Sequence, residues 1–298
     1  MSLSKLMQQV AEKGQDQTQA QTGGGDYTPP EAGQTGARIV GYYEIGQHES
    51  EFEGKKKVQN EVLIVFELVG KKHPAKEING EKVPVRMTLR MNLSLNEKAG
   101  YFKMFSALRT EEKHFVQLLG KPVLLNVVHE KGKKDEKKIF AKIDKATVRK
   151  PIIQVPVLDE DGAPTGDLKD QVFPVGPAVS ELKAFVWDFA DAEMWDSVYI
   201  PGEYPERKDD SGKVVAEARS KNDIQLKIAS ALNFKGLPCY DYAASKLVGG
   251  NITKEDVAAM DDVIGDVANV SPGNQGTSGE EDDRPPFDLA NDPMEGIA

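Results

Sequence analysis

The side chains here whose types and spacing could do chemistry are cations and aromatic rings, not nucleophiles or metal ligands. Lys55, Lys56 and Lys57 form a run three residues beyond Phe52, and Lys131, Lys133 and Lys134 open a second run that ends at Lys138. Arg86 and Arg90 recur at even spacing, Arg38 stands four residues before Tyr42, and Phe140 stands two before Lys142. Fixed cations neutralise phosphates and release their counterions. Flat rings and guanidinium planes stack on bases, at ~1–3 kcal/mol per base. Together these residues would hold a flexible polyanion without reading its sequence.

Other chemistries lack their residues. The four histidines, His48, His73, His114 and His129, are never paired at i, i+4, and no His-Glu-x-x-His string occurs. Gly23-Gly24-Gly25 lacks the Lys-Ser/Thr of a phosphate loop, and no Gly-x-Ser-x-Gly elbow is present. Asp159-Glu160-Asp161-Gly162 is a turn signal that does not continue into a calcium loop. Cys239 is the single cysteine, which excludes an internal disulfide and a Cys-rich zinc site and fits a reducing compartment. The expectation is a non-enzymatic protein with no metal and no cofactor. An acid–base pair assembled only in space stays open at this level.

The 298 residues are 39% hydrophobic and 29% charged, and no apolar run approaches the ~18 residues of a membrane span. Met1 to Val10 lacks the basic and apolar regions of a secretory signal. A cytoplasmic protein without a membrane partner is expected. The net charge of −10 speaks against a polyanion ligand, but its distribution does not. Residues 36–150 carry +9, residues 1–35 carry −2 and residues 151–298 carry −17. That pattern suggests a basic binding module joined to an acidic remainder.

Several elements can be placed. Residues 37–48 and 61–69 read as strands, the second largely buried. Residues 83–91 alternate strictly, with Val85, Met87, Leu89 and Met91 on one face and Arg86, Thr88 and Arg90 on the other. Ser94 and Glu97 have capping-box spacing, and Leu95, Ala99, Phe102, Phe105 and Leu108 predict a helix of about four turns. A short further turn is expected over 111–119, ended by Gly120, then strands over 122–129 and 138–148.

Three strands, a helix and two strands is the element order of a five-stranded Greek-key barrel, the OB-fold, with the loops joining strands 1–2 and 4–5 beside its binding face. Phe52 and Lys55–Lys57 fall in the first of those loops, Lys131, Lys133 and Lys134 in the second, and Arg86 and Arg90 on strand 3. Simple alternation puts Ile39, Tyr43 and Ile45 inside and Arg38, Tyr42 and Glu44 outside, with Glu67 outward as well. It likewise exposes Phe140 and Lys142 opposite Ile139, Ala141 and Ile143.

Outside the module, residues 1–35 are Gln- and Gly-rich and are expected to be a disordered arm. Residues 151–264 read as an acidic extension that packs on the barrel or on a partner subunit. It has helical patterns near 179–189 and 222–233 and large anchors at Trp187, Trp195 and Tyr199. Residues 265–298 hold eight acids and one Arg and are expected to be a disordered acidic tail.

The basic barrel, variable extension and acidic C-terminus resemble a bacteriophage single-stranded DNA-binding protein. The strings Gly36-Ala37-Arg38-Ile39-Val40-Gly41-Tyr42, Val65-Phe66-Glu67-Leu68-Val69-Gly70, Leu93-Ser94-Leu95-Asn96-Glu97-Lys98 and Ala231-Leu232-Asn233-Phe234 carry the likeness, over about residues 36–250. The resemblance implies a coat for single strands in phage replication, recombination and repair, acting in the host cytoplasm. It implies that the tail competes with DNA and recruits replication partners such as a polymerase or primase-helicase, through Asp282, Asp283, Phe287 and Asp288. The tail departs from the family in one respect, because eleven residues follow Phe287. Self-association, strandedness and DNA-versus-RNA preference are left open. A structural or assembly protein built on the same barrel is the rival reading, and an accessory nuclease or polymerase factor is a third.

Overall fold

The structure, a computed structural model, describes residues 28–52, 55–78, 81–132, 139–160, 162–208 and 212–247. It is mainly β. β1 (Gly33–Phe52) and β2 (Lys55–Val69) form a long antiparallel ribbon. A small hairpin of β3 (Lys76–Ile78) and β4 (Glu81–Val83) follows, and β5 (Arg86–Asn92) then pairs with β2. Helix α1 (Gly100–Leu108) and a 3₁₀ turn (Phe115–Leu118) lead to β6 (Pro122–Lys131) and β7 (Ile139–Arg149). The path through the sheet is β5-β2-β1-β6-β7. Three successive antiparallel strands and a fourth returning beside the first make a Greek key. No ladder joins β5 to β7, so the sheet is not a closed barrel.

β6 covers the free edge of β1 only from Gly33 to Arg38. Farther along, that edge would leave backbone donors and acceptors unpaired. β10 (Lys183–Phe185) fills the gap in parallel, pairing Gly41 with Lys183 and Tyr43 with Phe185. The helix predicted over 179–189 is therefore this strand and a 3₁₀ turn at Trp187–Phe189. The unpaired edge of β1 outweighs the local helical pattern. Between β7 and β10, β8 (Ile152–Leu158) and β9 (Pro164–Val172) form a separate hairpin. After β10 come α2 (Ala192–Ser197), β11 (Glu203–Tyr204), β12 (Arg207–Lys208), β13 (Val214–Ala216), β14 (Arg219–Ser220), α3 (Asp223–Ala229) and α4 (Tyr240–Lys246). α3 matches the pattern near 222–233.

The β1–β2 ribbon is buried on both faces. One face carries Ile39, Tyr42, Val62, Ile64 and Phe66 into a core closed by Tyr101 and Met104 of α1 and by Phe115. The other carries Val40, Tyr43, Ile45, Leu63 and Val65 against Phe185, Trp195, Ile224 and Ile228 of the extension. Residues 61–68 are accordingly buried without a break, as their nearly continuous apolar run requires.

Two bulges correct the expected facing of β1. Register shifts fall between Ile39 and Gly41 and between Glu44 and Gly46. Each extra residue reverses the alternation beyond it. Ile39 thus shares a face with Tyr42 rather than with Tyr43. Tyr42 and Glu44, expected outside, are buried on that account, and Glu67 of β2, also expected outside, is buried beneath the extension at Val179 and Ser180. β1 also begins at Gly33, inside the segment expected to be an arm, and Pro30 is held by its carbonyl to His129 Nε2 at 2.7 Å.

α1 is shorter than its pattern predicts. Asn96 N–H donates to Ser94 Oγ at 3.4 Å and Lys98 N–H to Asn96 Oδ1 at 2.9 Å. These local turns compete with a helical start, which is displaced to Gly100. The capping box lies instead at His114–Gln117, on the 3₁₀ turn that precedes Gly120 at φ +79.

Gly46 has φ +87 at the second bulge, and a Cβ there would overlap the Trp187 ring and the Ala231 methyl. Gly46→Ala combines left-handed strain with overpacking and should cost about 2–4 kcal/mol in urea unfolding. An unchanged midpoint would show that Trp187 does not seat against this bulge.

Candidate nucleic-acid interface

Burial decides which of the sequence-derived candidates can meet a ligand. Arg38 is consumed internally. Its Nε donates to the Gly176 carbonyl at 2.7 Å, Nη1 to Gly120 at 2.8 Å and Nη2 to Val175 at 2.8 Å. Tyr42 has no exposed surface. Its hydroxyl donates to Glu44 Oε1 at 2.9 Å and lies 3.1 Å from the Tyr101 hydroxyl, and its ring stacks on Phe115. Burial, with the Tyr101 and Glu44 oxygens nearby, holds that hydroxyl protonated far above the usual tyrosine range. A base has no route to this ring, so the outward reading of Tyr42 is corrected.

The expected loop between strands 1 and 2 is ladder instead. Phe52 and Lys55 are backbone partners at the tip, and Lys56 and Lys57 pair with Glu51 and Ser50. Lys56 and Lys57 are exposed, Lys56 with Glu49 at 2.6 Å. Lys131 is exposed at the end of β6, whereas Lys133 and Lys134 lie outside the described residues. On β7, Ala141 and Ile143 are buried as alternation predicts, but Phe140 and Lys142 are half-buried rather than exposed, Ile139 is exposed, and Lys142 pairs with Glu130. β6 runs back from Arg38 to Gly33 and beyond, so Lys131 lies at the opposite end of the sheet from Lys56 and Lys57. These two basic groups do not converge. Asp282, Asp283, Phe287 and Asp288 lie outside the described residues.

Arg90 does belong to a cluster, with partners that the sequence pattern missed, whereas Arg86 stands at the other end of β5 near Tyr43. Both project from β5 on the side of the extension, opposite Glu67 and Leu63 of β2. Thr88, between them, keeps a buried Oγ1 without a hydrogen-bond partner. Arg90 is ion-paired to the buried Glu61. Glu67 accepts from the backbone N–H groups of Val179 at 2.6 Å and Ser180 at 2.8 Å.

Across the seam, β11 pairs with β14 so that Tyr204 lies opposite Arg219. The Arg219 guanidinium carbon is 4.1 Å from the Tyr204 ring centroid, and Lys221 Nζ is 5.4 Å from it. Arg219 Nη1 also donates to Asp223 Oδ1 at 3.2 Å. Asn222 and Gln225 fix the turn beneath. Asn222 Nδ2 donates to Gln225 Oε1 at 2.7 Å, and Gln225 Nε2 donates to the Trp195 carbonyl at 2.7 Å.

Lys227 joins the two sides. It is buried within the influence of Arg90, Asp223, Glu61 and Arg219. Burial is the main reason that its pKa falls to about 8, and Arg90 adds to the effect. His48, close to Glu61, Arg90 and Lys227, is pushed down mainly by burial, while its Nε2 lies 2.9 Å from the Ile45 carbonyl. The carboxylates of the cluster, Glu61, Glu67 and Asp223, are buried. Arg86, Arg90, Arg219 and Lys221 retain exposed surface. Arg90 and Arg219 thus keep surface toward solvent above the buried acids paired with them, Glu61 and Asp223, and Arg219 and Lys221 lie over the Tyr204 ring.

Tyr204 and Arg219 are separated by fourteen residues in a segment without a clear strand pattern. The available signal was Arg219-Ser220-Lys221, two cations at a spacing of two, with Tyr204 as the nearest upstream aromatic.

Lys227 supplies a stability prediction. Its folded pKa lies below the unfolded value of 10.5, so between about pH 8 and 10.5 the unfolded chain binds the extra proton. Stability then rises with pH across that window. At pH 7 the buried ammonium costs free energy, and Lys227→Met should stabilise the protein by about 1–3 kcal/mol, an advantage that fades above pH ~10. Denaturant unfolding at pH 7 and 10 would check this. Destabilisation at pH 7 would mean that the ammonium is a net stabilising partner of Glu61 and Asp223.

Comparison of the chain with protein-family models, curated proteins and solved structures finds no match in any of the three.

Proposed function

We propose that this chain is a non-enzymatic, sequence-independent single-stranded DNA-binding protein. Its core is read as a partly open OB-like barrel, since β5 and β7, the two ends of the sheet path, approach each other beside α1. The observation that carries the binding reading is the stacking of Arg219 and Lys221 on Tyr204, in a cluster that reaches Arg90 through Lys227. A single strand offers phosphates and unstacked bases together. Outward cations meet the first, and an aromatic ring already layered with a guanidinium suits the second. The basic hairpin end at Lys56 and Lys57 and the β6 end at Lys131 would extend the phosphate track in either direction. No metal or cofactor is needed for this role.

The acidic C-terminal segment fits the same scheme. Residues 265–298 carry −7 and are tethered to a module of +9, so they compete with DNA at high effective concentration. Displaced by DNA, the same acids and Phe287 would be available to replication partners. The role in phage replication and recombination, in the host cytoplasm, rests on the resemblance described above.

Fluorescence-anisotropy titration of labelled oligo-dT and a matched duplex, at two salt concentrations, tests this reading. The full chain should prefer oligo-dT, and a chain ending at Gly265 should bind it more tightly. Affinity should fall with log salt at about −0.7 per phosphate contacted. Tyr204→Ala should weaken binding by about 5- to 100-fold, equivalent to ~1–3 kcal/mol for one lost stack. Arg219→Ala should weaken it and reduce the salt slope by about 0.7. If neither the full nor the shortened chain binds oligo-dT at low salt, the reading fails and the barrel serves as a structural scaffold.

A further inference from the structure

Among the described residues, one face of the β8–β9 hairpin is exposed along its length and the two strands pair only with each other. On one face the cross-strand partners Ile152 and Val172, Pro156 and Leu168, and Leu158 and Pro164 are exposed, with the hydrogen-bonded pair Gln154 and Asp170 between the first two. Leu158, Leu168 and Val172 are 57%, 59% and 70% exposed. On the other face Ile153, Val155 and Val157 are only half-buried. An isolated two-stranded hairpin is marginal in water, and the exposed apolar pairs toward its far end, Pro156 with Leu168 and Leu158 with Pro164, mark an interaction surface.

Two features identify the occupant. Residues 151–173 carry five acids and one Lys, whereas residues 36–150 of the same chain carry +9. In addition, the root of the hairpin borders a cleft of about 260 Å³ lined by Leu108, Leu118, Pro122 and Val123, by Lys150, and by Lys121, which is ion-paired to Glu112. The cleft offers an apolar floor beside Lys150, and the arm offers apolar side chains with acids. Because arm and cleft adjoin in one chain, a twofold axis can bring each arm to the other copy's cleft and cover both at once. Face-to-face packing of two arms alone would instead oppose two acidic hairpins. Seven residues of β8 span about 23 Å at ~3.3 Å per residue, enough to reach across such an axis.

We propose that β8–β9 is an exchange arm and that its occupant is a second copy of this chain, each arm laying its Leu158–Leu168 face into the root cleft of the other. This inference stands apart from DNA binding and holds or fails without it. Sedimentation velocity on the full chain from 1 to 100 µM, without DNA, tests it. The protein should move from 32.7 kDa toward twice that mass as concentration rises. Leu158→Ser with Leu168→Ser should raise the dimer dissociation constant at least 10-fold while leaving near-UV circular dichroism and the thermal midpoint of the monomer unchanged. Both positions are exposed in the single chain, so the substitution leaves the fold intact. A full chain that stays at 32.7 kDa over this range overturns the proposal. So does a doubly substituted chain that dimerises as well as the parent, because the dimer would then use another surface.

Discussion

A β-ribbon buried on both faces has no solvent to satisfy its polar side chains, and this constraint organises the molecule. The β1–β2 ribbon carries Arg38, Glu44, Glu61 and Glu67 within or beside its apolar run. Each finds a partner in another segment. Arg38 takes carbonyls at Gly120, Val175 and Gly176, and Glu67 takes the N–H groups of Val179 and Ser180. Glu44 accepts from Trp187 N–H at 2.8 Å, and Glu61 holds Arg90. Removing any of these partners would strand a charge in a dry interior, which costs far more than a surface pair. The extension is therefore part of the core and not an appendage.

This arrangement decides where a ligand can go. The extension occupies the outer face of β1 and β2, so any contact on that side moves to the margin at β5. There the extension contributes Tyr204, Arg219 and Lys221, linked to Arg90 through Lys227. The same polar pairing that docks the extension orients these cations, since Glu61 and Asp223 lie inside and hold Arg90 and Arg219 from below. Ion pairs that build the structure and the proposed binding surface thus share the same residues.

The sequence was informative wherever a strand keeps one phase and one buried face. β5 shows this: Met87 and Met91 are buried and Arg86, Thr88 and Arg90 lie opposite, as alternation predicts. The order of the five main strands, with a helix after the third, was also readable. β1 was misread because two bulges reverse its phase, and no local pattern announces a bulge except Gly46 in hindsight. The Tyr42 role went with that error, whereas Arg38, which precedes both bulges, was lost to the carbonyls of Gly120, Val175 and Gly176. β10 was missed because a three-residue strand forms only to pair an edge of β1 that β6 leaves open. The Tyr204–Arg219 pair was invisible for a related reason. Its two strands are two residues each, too short for periodicity, and the contact exists only in the folded hairpin.

If the seam at β5 is the binding surface, a bound strand must protect it. Hydrogen–deuterium exchange of the full chain with and without saturating oligo-dT reads this directly. The account predicts slowed exchange over 86–92 and 203–221, with little change in the ribbon centre that is already dry. Protection confined to the ends of the β1–β2 and β6–β7 hairpins, with 86–92 and 203–221 unchanged, would contradict it.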